Sequence, residues 1–149
     1  MLPPIEYPAV ATSRVIARDL NGDDAPDLVT GGIMVLLNDG EGGFGEPSSA
    51  LPEGAPAGAF ALADLNGDGE LDLSTASGSL LGVAFGRGDG TFDAAPLVYL
   101  DGVNSGDDTA LEVSPAEIDG EGPLEIVVHS LGGFFVVSIR RSRVAGPSM

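Results

Sequence analysis

The sequence predicts an all-β chain of about three four-stranded antiparallel propeller-type blades, a partial β-propeller. Three observations lead there. The acidic turn Asp64-Leu65-Asn66-Gly67-Asp68-Gly69-Glu70-Leu71-Asp72 recurs upstream as Asp19 to Asp27 and, more loosely, downstream as Glu117 to Glu125. Each turn is followed by a short apolar run, and the first two runs are followed by an Asp-Gly hairpin signal. Composition agrees: Gly 23, Pro 11 and only 5% aromatic residues favour short strands and turns over long helices.

The elements follow in chain order. Residues 1–9 carry three prolines and Tyr7 and read as a lead-in or edge strand. Val10 to Arg18 contains Val10, Val15 and Ile16 and is expected to run as a strand into the first turn. Asp27-Leu28-Val29-Thr30 leaves it, Gly31-Gly32 breaks the strand, and Ile33 to Leu37 is an apolar run of strand length. Asn38 to Phe44 supplies the hairpin, and residues 45–56 are Pro/Gly/Ser-rich and expected as loop. The second unit repeats this order with Ala57 to Ala63, Leu71 to Ser74, Leu80 to Phe85 and Arg87 to Phe92. Asp19 to Asp64 is 45 residues and Phe44 to Phe92 is 48, so two landmarks keep step at the 40–50-residue period of a propeller blade. In the third unit Ala110 to Val113 leads in, Leu124 to Val128 leads out, and Phe134 to Ile139 takes the apolar position. No Asp-Gly-x-Phe follows, so this blade is expected to be cut short or diverged. The chain is thus one repeat domain, 1–149, with units at about 10–56, 57–100 and 109–149.

Charge and composition exclude several classes. Net charge is −17, and twelve of the 23 acidic residues fall inside the three turns, where bound cations would offset them. Lysine is absent, and the one basic cluster is Arg140, Arg141 and Arg143, so nucleic acid is not an expected partner. With no cysteine there are neither disulfides nor thiolate metal sites. No apolar run approaches the ~20 residues of a membrane helix, and the start, Met1 to Glu6, lacks the basic and apolar regions of a signal peptide.

The turns carry the chemistry. Side-chain oxygens stand at positions 1, 3, 5 and 9, and position 7 offers a backbone carbonyl. Ca²⁺ is a hard cation taking six to eight oxygens at ~2.3–2.6 Å, so such a set on a glycine-rich turn suits it. Clustered carboxylates also repel one another unless a cation compensates. An EF-hand would need a glutamate at position 12 and flanking helices. Position 12 is Thr30, Thr75 and Val128, and the flanks are short and β-rich, so that reading fails. The third turn has Glu at positions 1, 5 and 9; the extra methylene moves each oxygen outward, and occupancy is expected to be lowest there.

Asp-x-Asn-Gly-Asp-x-x-x-Asp-Leu, an apolar run and then Gly-Asp-Gly-Thr-Phe resemble the FG-GAP/VCBS repeat of integrin-α-like β-propellers, best over residues 10–100. The resemblance implies one Ca²⁺ held by each turn between the first two strands of a blade. The implied ligands are Asp19, Asn21, Asp23, Asp27 and the Ala25 carbonyl, then Asp64, Asn66, Asp68, Asp72 and the Glu70 carbonyl. The corresponding third set is Glu117, Asp119, Glu121, Glu125 and the Pro123 carbonyl. It further implies a noncatalytic binding or adhesion role in an extracellular or cell-surface setting, with a protein or glycan ligand. The alternative is an accessory repeat region of a polysaccharide-active or other secreted enzyme. About three blades do not close a ring of four to eight, so self-association or further blades are expected.

Other motifs weigh less. Arg87-Gly88-Asp89 is a tripeptide that integrins recognise, but it occupies the hairpin position of the repeat, where one substitution produces it. His129, the sole histidine, has no His or Cys partner and is expected as a buried or edge residue rather than a zinc ligand. Carboxylate pairs suited to glycoside hydrolysis lie almost entirely in the turns, and His129-Ser130 lacks a nucleophile elbow. No catalytic constellation stands out.

Overall fold

The computed structural model describes residue 7 and residues 14–51, 56–100, 110–120, 122–130 and 133–138. Among them are strands but no helix, arranged as three antiparallel meanders, none closed into a barrel. The first sheet runs β1 (Val15–Arg18), β2 (Asp27–Thr30), β3 (Met34–Leu36), β4 (Ser48–Ser49). The middle sheet runs β5 (Ala59–Ala63), β6 (Asp72–Ser77), β7 (Leu80–Gly86), β8 (Phe92–Ala94), with β9 (Val98–Tyr99) also paired to β7. The third comprises β10 (Ala110–Ala116), β11 (Glu125–Ser130) and β12 (Gly133–Ser138).

Each acidic turn joins the first two strands of its sheet. Position 9 pairs with the residue just before position 1 every time: Arg18 with Asp27, Ala63 with Asp72, Ala116 with Glu125. A single register therefore presents all three turns in the same way.

The outer strand differs from expectation. Residues 45–56 were expected as loop, yet Ser48 and Ser49 pair with Val35 and Met34. Phe44 bridges Asn38 before them, so the fourth strand is present in two pieces. The middle sheet has the same break between β8 and β9. Pro47 and Pro96 sit at the two gaps. Proline has no N–H to give to a ladder, and an outermost strand is where a sheet tolerates it. Of the lead-in, Tyr7 falls within the described residues; its ring meets Phe44 edge-on at 5.4 Å and its hydroxyl accepts the Phe44 N–H at 3.2 Å. The expected loss of the last hairpin falls on residues 139–149, outside the described residues.

The core lies between sheets. On one face of the middle sheet, Phe60, Leu73 and Ala84 pack against Leu20, Val29, Ile33 and Val35 of the first. On the other, Ala61, Ala76, Leu81 and Val83 pack against Val113, Ile126 and Val128 of the third. Alternation along a strand sends successive side chains to opposite faces, so Phe60 and Ala61 serve different interfaces. β6 is buried almost throughout, and its small polar residues are satisfied locally: Thr75 donates to the Pro56 carbonyl at 2.8 Å. Successive sheets stacked face to face are the packing of propeller blades.

Candidate metal centres

In the first turn the Asp19 carboxylate accepts the N–H groups of Asn21 (3.2 Å), Gly22 (2.8 Å) and Asp24 (2.9 Å). Asp23 accepts the Ala25 N–H and the Asn21 side-chain amide, both at 2.8 Å. The second turn repeats this: Asp64 accepts from Gly67, Asp68 and Gly69 at 2.7–3.1 Å, and Asp68 accepts from Glu70 at 2.9 Å. Each curl requires backbone in the left-handed region. Gly22 and Gly67 supply it at φ 75° and 80°; Asp24 adopts it at 66° where the second turn has Gly69.

Position 9 does something the sequence did not reveal. Asp27 and Asp72 are fully buried. Asp27 accepts the N–H of Leu20 at 2.9 Å and, from the far end of β3, that of Asn38 at 2.8 Å. Asp72 likewise accepts Leu65 at 2.7 Å and Gly86, at the end of β7, at 2.9 Å. Each acid thereby staples its turn to the third strand of its own sheet. Glu125, also buried, accepts the Ile118 N–H at 3.1 Å.

Electrostatics separate Asp72 from Asp19. Burial raises the Asp72 pKa; hydrogen bonds from Gly86 and Leu65 oppose this, and the charges of Asp68 and Asp64 add to it. For Asp19 desolvation also acts upward, but the N–H groups of Asp24, Gly22 and Asn21 outweigh it and hold the carboxyl below its usual value.

The donor chemistry fits a hard divalent cation: every side chain at positions 1, 3, 5 and 9 ends in oxygen. In the third turn, carboxylate oxygens of Glu117, Asp119 and Glu125 lie within 4.8 Å of one another. Two oxygens sharing one Ca²⁺ at ~2.4 Å are at most ~5 Å apart, so this spacing is compatible with a common ion. Among the described residues it is the one carboxylate trio this close, in the turn where occupancy was expected to be lowest. Part of the reason is composition: Asn21 and Asn66 hold position 3 in the other turns, where the third has Asp119. Glu121 lies outside the described residues.

The other singled-out residues are engaged differently. Arg87 forms a two-point ion pair with Asp93, and Asp89 accepts the Thr91 N–H at 2.9 Å, so Arg87-Gly88-Asp89 is tied into its hairpin. His129 is neither buried nor on an edge strand: it is exposed on β11, between β10 and β12. Alternation explains it, because Ile126 and Val128 take the face toward the middle sheet.

The arrangement defines a class: an all-β repeat protein whose units each begin with an acidic, metal-compatible turn between two strands. Matches to the family model described as FG-GAP-like repeat cover residues 19–75 and 64–128, and the chain belongs to that family. Each match runs from one acidic turn into the next, and the second takes in Glu117 to Glu125. No curated protein matches the chain. Among solved structures it is similar to an Agrocybe aegerita lectin, in work on specific recognition of non-reducing terminal N-acetylglucosamine. Identity is 28%, the TM-score 0.55, and the likeness covers 77% of this chain. The chain spans about a third (32%) of that lectin chain.

Proposed function

We propose that this protein is a noncatalytic, calcium-stabilised carbohydrate-binding module, working within a longer propeller or as one part of an assembled ring. The observation that carries the reading is the likeness to a lectin over 77% of the chain, within a repeat family whose acidic turns it retains. Calcium would be held by Asp19, Asn21, Asp23, Asp27 and the Ala25 carbonyl, by Asp64, Asn66, Asp68, Asp72 and the Glu70 carbonyl, and in the third turn by Glu117, Asp119 and Glu125. Its contribution would be structural, neutralising carboxylates that otherwise repel across each turn. An extracellular or cell-surface setting follows from the millimolar Ca²⁺ such sites need. Support for the assembled ring comes from the face of β12 turned away from the middle sheet, where Phe134 and Val136 are 71% and 46% exposed.

The test is binding of a panel of glycosides, methyl β-N-acetylglucosaminide included, to the 149-residue chain in 5 mM Ca²⁺ and in chelator, read by ligand-observed NMR. Saturable binding in Ca²⁺ to at least one sugar is expected. A panel with no binder, from protein whose melting temperature still responds to Ca²⁺, removes the carbohydrate reading and leaves the metal one standing.

A further inference from the structure

β1, β5 and β10 are the first strands of the three sheets, and among the described residues each is paired on one side only. Between them lies an open cleft of about 270 Å³. It is lined by Arg14, Ile16 and Arg18 from the first repeat, Leu62 from the second, and Glu112 and Ser114 from the third. Arg14, Ile16 and Arg18 are two residues apart along extended chain, so they share one face.

The placement of charge is unexpected. The chain carries six arginines against 23 acidic residues, and three of the six are in the described residues. Arg87 is neutralised by Asp93. The other two line this cleft, and among the described residues neither forms an ion pair. Arg14 is fixed by the neighbouring sheet: Nη1 donates to the Phe60 carbonyl at 3.1 Å, and the guanidinium lies 5.7 Å from the centre of the Phe60 ring. Arg18 donates to the carbonyl of Ala17, its own neighbour, at 3.0 Å, and is otherwise exposed. One guanidinium is thus held ready and the other is free to close on a ligand.

We propose that this cleft binds the carboxylate-bearing unit of an acidic saccharide, a uronic acid being the simplest case; the inference rests on the carbohydrate-binding reading above. Guanidinium forks match carboxylates with paired, charge-assisted hydrogen bonds. The Glu112 carboxylate and the Ser114 hydroxyl would take sugar hydroxyls, and Ile16 and Leu62 offer apolar surface to ring C–H groups. A bare anion would make use of neither. The volume falls just below the ~300–1,000 Å³ of small-molecule pockets, which suits one sugar unit rather than a longer segment.

The experiment compares methyl β-D-glucuronide, methyl β-D-glucoside, methyl β-N-acetylglucosaminide and an acetyl-aspartate amide on the full chain, with Arg18→Gln and Arg14→Lys variants. The Arg18 side chain is exposed and its hydrogen bond among the described residues is to its own neighbour, so Arg18→Gln should melt with the parent. The glucuronide is expected to bind at least tenfold more tightly than the glucoside. Arg18→Gln should cost the glucuronide about tenfold, the scale of one hydrogen bond to a charged group, and leave the glucoside unchanged. Rising salt should weaken the glucuronide alone. Equal binding of glucuronide and glucoside, or no loss in either arginine variant, overturns the proposal. Acetyl-aspartate amide binding as tightly as the glucuronide also overturns it, in favour of a protein carboxylate. N-acetylglucosaminide binding without glucuronide binding overturns it while the wider carbohydrate reading survives.

Discussion

Removing the Asp72 carboxylate would strand the N–H groups of Leu65 and Gly86, which it accepts at 2.7 and 2.9 Å. A buried donor left without a partner costs about 1–3 kcal/mol, so Asp72→Ala should destabilise the protein by several kcal/mol even in chelator. Asp72→Asn keeps one acceptor and should fall between. Asp68 is exposed, and Asp68→Ala should change little in chelator while removing most Ca²⁺ dependence of the second turn. Urea unfolding of the three variants with and without Ca²⁺ checks this; equal losses for Asp68→Ala and Asp72→Ala in chelator would dissolve the distinction. Asp39, in the first hairpin, gives the pH counterpart. N–H groups of Glu41 and Gly43 hold its pKa below the usual 3.8. A carboxyl with a depressed folded pKa contributes stability above its unfolded value and loses it as pH falls through the folded one. The stability gap between the parent and Asp39→Ala should therefore be constant above about pH 5 and close as pH drops below 3.8. Asp72, whose pKa is raised, has the opposite sign. The proton-linked part of its contribution is fully present below 3.8 and is lost as pH rises through the folded value, while the two hydrogen bonds it accepts remain. The acids of the turns were legible in the sequence because charge and spacing recur. The staple role of position 9 was not, because its partners, Asn38 and Gly86, are distant in sequence and contribute only backbone.

At the scale of elements, the second hairpin does more than reverse the chain. The Gly90 N–H donates to the carbonyl of Leu20, inside the first acidic turn, at 3.1 Å. A Cβ on Gly90 would lie 2.6 Å from Leu37 Cδ2, on a backbone at φ 81°. Gly40, in the first hairpin, has φ 77° and open space around the same position. Gly40→Ala reports the backbone strain alone, about 1 kcal/mol. Gly90→Ala adds the cost of overpacking a sheet–sheet contact, about 1–3 kcal/mol more. Adding Leu37→Ala to Gly90→Ala should recover part of that excess; no recovery would place the cost elsewhere. β2, β3, β6 and β7 were readable as apolar or alternating runs bounded by turn residues. β4 was not: Ser48 and Ser49 are exposed polar residues beside Pro47, and their pairing depends on β3 being there to receive them. The arginine cleft was hidden for the same reason, since Arg14 and Glu112 line one cleft only when first strands from different repeats converge.

For the whole molecule, calcium and surface exposure make separate predictions. A ligand that binds only the folded state stabilises by RT ln(1 + [L]/Kd). With Kd on the order of 10⁻³ M and 10 mM Ca²⁺, each site contributes roughly 1.4 kcal/mol, and two independent sites shift the melting temperature by roughly 5–10 °C. Equal melting in chelator and in 10 mM Ca²⁺ would exclude the structural role. Phe134 and Val136 lie on one exposed face of β12, 71% and 46% accessible, while Phe135 and Val137 pack inward. Light scattering of the chain in Ca²⁺ should show dimers or larger species, and Phe134→Ser with Val136→Thr should shift them toward monomer. A parent protein that is monomeric at 100 µM would sink the assembled ring. The phase of the repeat carries a last consequence. The family matches begin at the first residue of an acidic turn, just after the first strand of one sheet, and end within the second strand of the next. Among the described residues, 19–75 hold every buried residue of the first sheet–sheet contact except Ala84, and 64–128 every one of the second except Ala61. The matched length therefore spans a junction between two sheets rather than one sheet. A gene duplication copying one turn-to-turn length inserts a seam whose two sides already fit, and its flanking strands complete sheets on either side. Blade number can then change in a lineage without any new pair of surfaces having to be invented.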